Sequence, residues 1–145
     1  MSSVSGVSYP VESRHPGWPA RLGPLRVPAG EVAIRPVRLR DAGEWSRIRL
    51  RDRAHLEMWE PTGIGPWPER NAFWSWPSQW AALRSLARRG QCLPFTITLD
   101  GRLAGQITVG NVIRASLRSA WIGYWVSSEV VRGGVQVAIV VGGGN

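Results

Sequence analysis

A chain of 145 residues is sized for one domain with its own core, and 43% hydrophobic against 19% charged residues excludes a disordered polymer. All 18 basic residues are arginine and the formal charge is +8, a field that attracts a phosphorylated cofactor, an acidic peptide or RNA. One cysteine, Cys92, excludes an internal disulfide framework and fits a reducing cytosol.

Residues 1–30 are rich in Ser, Pro and Gly and read as an N-terminal extension, with a short strand over 20–27. The first residues lack a basic segment and an apolar core, so no signal peptide is expected. The folded domain is expected over 31–145, opening with a strand over 31–37, where β-branched residues alternate. Asp41 with Glu44 three residues on has the pattern of a capping box. Trp45 and Ile48 follow at helical spacing, which predicts a helix over 42–56. A loop rich in Pro, Gly and Trp covers 60–68. Pro77 suits the first turn of a second helix, with Trp80, Leu83, Leu86 and Ala87 at helical spacing and Gly90 to end it. Strands over 94–99 and 103–109 flank Asp100-Gly101-Arg102, a hairpin signal because glycine tolerates a positive φ. A third strand is predicted over 120–126. One strand, two helices and an antiparallel meander make an α+β fold. The most apolar part of the tail, 135–141, falls far short of the ~18 to 20 residues of a membrane span, so no membrane partner is expected.

The only metal-binding nitrogens and sulfur are those of His15, His55 and Cys92, too few for a zinc site, and no metal is expected. Neither a nucleophile elbow nor a phosphate-binding P-loop pattern occurs.

Three segments in order, Ile34-Arg-Pro-Val-Arg-Leu-Arg-Asp41, the Asp100-Gly101-Arg102 turn, and Trp121-Ile-Gly-Tyr-Trp-Val-Ser-Ser128 leading to Arg132-Gly133-Gly134, resemble the GNAT superfamily. The series is most similar to the RimJ/RimL type, the ribosomal-protein-alanine N-acetyltransferases, over about residues 18–138. The resemblance implies a GNAT-like α+β fold with two helices and a mixed, largely antiparallel sheet. It implies acetyl transfer from acetyl-coenzyme A to a protein N-terminal amine, by direct attack in a ternary complex in the cytoplasm. A ribosomal protein is the expected acceptor.

Under that resemblance the backbone of Trp125, Val126 and Ser127 meets the pantetheine arm and thioester. Arg132, Gly133 and Gly134, with the amides of Val135, Gln136, Val137 and Ala138, take the place of the pyrophosphate loop. Aligned on Gly134, Val131 replaces the family's Arg or Gln, Arg132 its first glycine, and Gln136 its small residue. The family continues with a helix, a strand, a second helix and a hairpin, so the C-terminal part of the fold is expected to be missing, through truncation, a frameshift near Gly134 or natural variation.

A base must take the proton of the acceptor ammonium, and Glu57 and Glu60 are the candidates, with His55 behind them. Trp59, Trp67, Trp74, Trp76 and Trp80 form either a wall of the acceptor site or core packing. Seven arginines between Arg35 and Arg53 form either a basic face or a solvated surface offset by Asp41, Glu44 and Asp52. Two other functions stay open: a non-catalytic gene remnant, and a small basic module binding RNA or the ribosome. Nucleic acid ranks last, because no RNP-like aromatic motif or helix-turn-helix occurs.

Overall fold

A computed structural model describes residues 17–60, 65–113 and 119–132. Five strands run β1 (Leu22–Val27), β2 (Gly30–Pro36), β3 (Leu93–Leu99), β4 (Arg102–Ile113) and β5 (Ser119–Val126), and they lie side by side in that order. Each neighbouring pair is antiparallel. The mixed sheet expected from the resemblance is therefore wholly antiparallel among the described residues. Even the long connection from β2 to β3 returns the chain antiparallel, with Ile34 opposite Ile97. The short strand inside the proposed extension forms as the edge of this sheet, against β2.

Hairpin β3–β4 turns on Asp100 and Gly101, whose φ angles of 51° and 80° are the two positive values of a type I′ turn. Leu99 pairs directly with Arg102 across it. Asp100 also accepts the Glu31 amide on Oδ1 at 2.9 Å, which ties the turn to the start of β2.

Asp41 departs from the capping-box expectation. Its backbone is already helical, at φ −71° and ψ −12°, and its side chain makes no cap to the following helix. The carboxylate instead accepts two bonds from Arg35 at 2.7 and 3.0 Å, the Arg38 amide at 2.8 Å and the Thr96 hydroxyl at 3.1 Å. A buried carboxylate needs a cation and several donors, and β2 and β3 supply them. Glu44 turns outward to Arg47 at 2.9 Å.

The helix predicted over 42–56 is interrupted. α1 (Ala42–Arg51) and α2 (Arg53–Leu56) are separated by Asp52 at φ −92° and ψ 20°. Aspartate favours the helix interior poorly, and this one is drawn aside by partners beyond β5. α3 (Trp67–Arg70) is a single turn, and α4 (Trp76–Arg88) is the second long helix, with Pro77 in its first turn as predicted. Gly90, at φ 72°, ends it: the Gln91 amide reaches Leu86 O at 2.9 Å and the Gly90 amide reaches Ala87 O at 3.0 Å. These are the two bonds of a Schellman motif.

α1 and α4 cover one face of the sheet around Val37, Ala42, Trp45 and Trp76, with Trp80, Leu83, Leu103 and Trp125 packed at the margin. The Trp45 and Trp76 rings meet at 4.9 Å. Two enclosed indole N–H groups find main-chain acceptors, Trp76 on Arg38 O and Trp67 on Arg49 O, both at 2.9 Å. No helix among the described residues is long and apolar enough to cross a membrane.

Candidate active site

Alternation along β4 and β5 places Gln106, Thr108 and Gly110 opposite Trp125, Gly123 and Trp121. The Trp121 ring lies over the two glycines, since a Cβ at Gly110 or Gly123 would run into it. α1 and α4 stand across from this face, leaving a groove of about 690 Å³. Its walls include Trp45, Leu83, Trp121, Tyr124 and Trp125, and its polar members include Arg49, Glu60, Arg70 and Gln79. The Trp125 indole donates to Gln106 Oε1 at 3.1 Å, which fixes that ring against the sheet.

Arg49 organises the groove. Its guanidinium lies 4.9 Å from the Trp67 ring, 5.2 Å from Trp125 and 5.8 Å from Trp45. Its Nε donates to Asn71 Oδ1, and its Nη2 to both oxygens of Glu60 at 2.6 and 2.7 Å. Burial pulls the Arg49 pKa below its ordinary value, and the Glu60 carboxylate opposes that pull.

The two candidate bases part here. Glu60 lines the groove. Glu57 sits one turn earlier, in the 3-10 turn Glu57–Trp59, and pairs with Arg53 at 2.6 Å. His55 lies on α2, outside the groove lining. Of the five tryptophans singled out in the sequence, Trp67 and Trp76 are core and Trp80 packs against the core. Trp74 is exposed, and the Trp59 side chain lies outside the described set. The aromatic wall of the groove belongs instead to Trp45, Trp121 and Trp125. Period-2 spacing along β5 was the signal for two of them.

The expected cofactor residues begin at the end of β5. Trp125 lines the groove, and Val126 is buried. The Ser127 amide donates to Ala104 O at 2.7 Å, and its hydroxyl accepts from Arg51 at 2.9 Å. With Ser127 bonded inward to β4, alternation turns the N–H and C=O of Tyr124 and Val126 toward the edge of β5 away from β4. Beyond Ser127 the chain enters α5 (Ser128–Arg132), which Asp52 anchors: it accepts the Ser128 amide at 2.8 Å and hydroxyl at 2.7 Å. Burial works against ionisation of Asp52, but the Arg51 guanidinium and the Ser128 donors prevail and hold its pKa at about 2. Sequence pattern gave no sign of this tie. Arg132 ends α5, with its side chain outside the described set, and Gly133, Gly134, Val135, Gln136, Val137 and Ala138 lie outside the described residues.

The basic run is mostly neutralised: Arg35, Arg47, Arg49, Arg51 and Arg53 each meet a carboxylate. That speaks against a basic face, and it fits a solvated surface only in part, because Arg49, Asp41 and Asp52 are buried. Cys92 is buried, and burial pushes its thiol up to about 11, so it holds its proton at neutral pH.

No protein-family profile matches the chain, and neither does any curated protein. Among solved structures, Mycobacterium smegmatis RimJ in complex with CoA-disulfide is 61% identical, with a TM-score of 0.77 over 79% of this chain. The chain belongs to the RimJ/RimL group of the GNAT superfamily. It spans 55% of the length of that RimJ. Two more distant members of the group share the fold. The Vibrio fischeri ribosomal-protein-S5-alanine acetyltransferase is 20% identical, with a TM-score of 0.60 over 72% of this chain and 56% of its own. RimL, a ribosomal L7/L12 α-N-protein acetyltransferase in complex with coenzyme A, is 17% identical, with a TM-score of 0.57 over 68% and 52%. Within the RimJ/RimL fold, the groove described above lies between the helical layer and the last described strand.

Proposed function

We propose that this chain belongs to an acetyl-coenzyme A-dependent N-acetyltransferase of the cytoplasm that modifies a protein N-terminal amine, a ribosomal protein being the favoured acceptor. The observation that carries the reading is a carboxylate, Glu60, in an aromatic groove bordered by β5, in a chain 61% identical to RimJ bound to CoA-disulfide. Acetyl-coenzyme A supplies an activated thioester carbonyl.

The outward N–H and C=O of Val126 suit an extended amide chain such as pantetheine, which would lie along β5 as an added strand. Arg132 and the run Gly133 to Ala138 are proposed for the diphosphate on the physical ground that glycine amides approach phosphate closely. Glu60 is the proposed base. It holds the acceptor ammonium and takes its proton, leaving the amine lone pair free to attack. Arg49 keeps the Glu60 carboxylate fixed at the groove wall. Glu57, tied to Arg53 away from the groove, is not favoured by this geometry.

Thermal unfolding with increasing acetyl-coenzyme A tests the reading. A ligand at 100 times its Kd stabilises by about 2.7 kcal/mol, and the midpoint must keep rising with concentration. Mass spectrometry of an N-terminal peptide incubated with chain and acetyl-coenzyme A reads the transfer itself. A flat melting midpoint with no acetylated peptide refutes the proposal, as the non-catalytic remnant predicts.

A further inference from the structure

The two ends of the groove differ in chemistry. One end is aromatic. The other shares Arg49, Glu60, Arg70 and Gln79 with a polar hollow of about 370 Å³ that Asn71 and Ser78 also line. Two guanidinium groups and one carboxylate meet there, and the charges do not cancel. Arg49 is committed to Glu60 and Asn71. Arg70 meets no carboxylate among the described residues, and its Nε is enclosed without a hydrogen-bond partner. Its guanidinium stacks 5.2 Å from the Trp67 ring, and its main chain is pinned by Ser75 Oγ at 2.8 Å and Gln79 Nε2 at 3.0 Å, both donating to Arg70 O. Arg70 is therefore held beside Arg49 as a guanidinium that lines the hollow and meets no carboxylate among the described residues.

Resting on the acceptor-groove reading above, we infer that Arg70 selects acceptors that carry a carboxylate close behind their N-terminal amine. A carboxylate is the partner a guanidinium fork fits best, and the described residues give Arg70 none. An N-terminal peptide brings an ammonium, for which Glu60 lines the same hollow. A second- or third-residue Asp or Glu then falls to Arg70. The order of charges in the site, acid then base, mirrors the order in such a peptide. A basic side chain at that place meets Arg70 and Arg49 together and is repelled.

The test is a titration of the intrinsic tryptophan fluorescence of the full chain with matched peptides bearing Asp, Ala or Lys as second residue. The Asp peptide is expected to bind roughly tenfold tighter than the Ala peptide, and the Lys peptide weakest. Arg70→Gln is expected to erase the preference and Arg70→Glu to invert it. Equal binding of the Asp and Ala peptides overturns the inference while leaving the acceptor groove standing. Absence of binding by every peptide sinks the groove reading and the inference with it. Acetyl-coenzyme A titrated into Arg70→Gln separates the remaining source of an anion: weakened cofactor binding with an intact peptide preference assigns Arg70 to a cofactor phosphate and overturns the proposal. The unmodified chain's own preference is the first readout, so a variant that fails to fold hides nothing.

Discussion

Arg35 and Asp41 meet at 2.7 Å, and Arg49 and Glu60 at 2.6 Å, so the two pairs are nearly equal in contact. Their surroundings differ. The Asp41 side chain is 5% exposed and takes further donors from Arg38 and Thr96, which use up its lone pairs. The Glu60 side chain is 29% exposed, and the only donor described on it is Arg49. The first pair locks β2, β3 and the start of α1 together. The second leaves an anion at a groove wall with capacity for an incoming ammonium. Contact distance alone separates structure from function in neither case; the count of remaining lone pairs and their access to solvent does.

Breaking the sealed pair is expected to have the largest effect. Asp41→Ala strands the Arg35 charge and the Thr96 hydroxyl, and chemical denaturation should show a loss of about 3–5 kcal/mol. A loss no larger than that of Glu60→Gln would put Asp41 in the same class as Glu60 and dissolve the contrast.

Asp52 is the next sealed carboxylate, 4% exposed, and it can be tested by pH. Its folded pKa of about 2 lies below the ordinary 3.8, so its stabilisation is full above pH 3.8 and is lost as pH falls toward 2. The amount is about 2 kcal/mol. Acid unfolding of Asp52→Asn should lack that part of the pH dependence and start from a lower stability at neutral pH. Parallel curves for the two chains would show that the tie to Ser128 adds nothing.

Glu60→Gln sharpens the contrast from the other side. Arg49 keeps Asn71 and its stacked indoles, and the new amide still accepts a bond, so the loss of stability should stay at about 2 kcal/mol, below that of Asp41→Ala. Peptide binding, and transfer if the chain catalyses it, should fall far more than stability. Trp121→Ala, at a ring 53% exposed, is expected to change stability by no more than about 0.5 kcal/mol while weakening peptide binding.

Strands β3, β4 and β5 were legible because alternation and the Asp-Gly turn are local signals, each contained in a few adjacent residues. The Schellman ending at Gly90 was legible for the same reason. Asp41 was misread because its local pattern also suits a helix cap, whereas its carboxylate turns back to Arg35, the Arg38 amide and Thr96, the last 55 residues away. The break at Asp52 was invisible because its cause sits beyond β5. Glu60 could be nominated as a carboxylate after a helix, but its neighbours could not: the groove exists only once β5 is registered on β4 and the helices are laid across. Of the two readings open for the crowded tryptophans, core packing holds for Trp67, Trp76 and Trp80, while the sparser pair on β5 faces the groove.

The bond from Asp52 to the Ser128 amide spans 76 residues, far more than any β-hairpin must close. Closure entropy grows with the length of chain enclosed, so the β3–β4 and β4–β5 hairpins can zip before this brace engages. A contact made after the rate-limiting step slows escape from the native state without hastening arrival. In a chevron plot of Asp52→Asn, the unfolding arm is therefore expected to rise and the refolding arm to stay where it was, so the strut acts as a late latch.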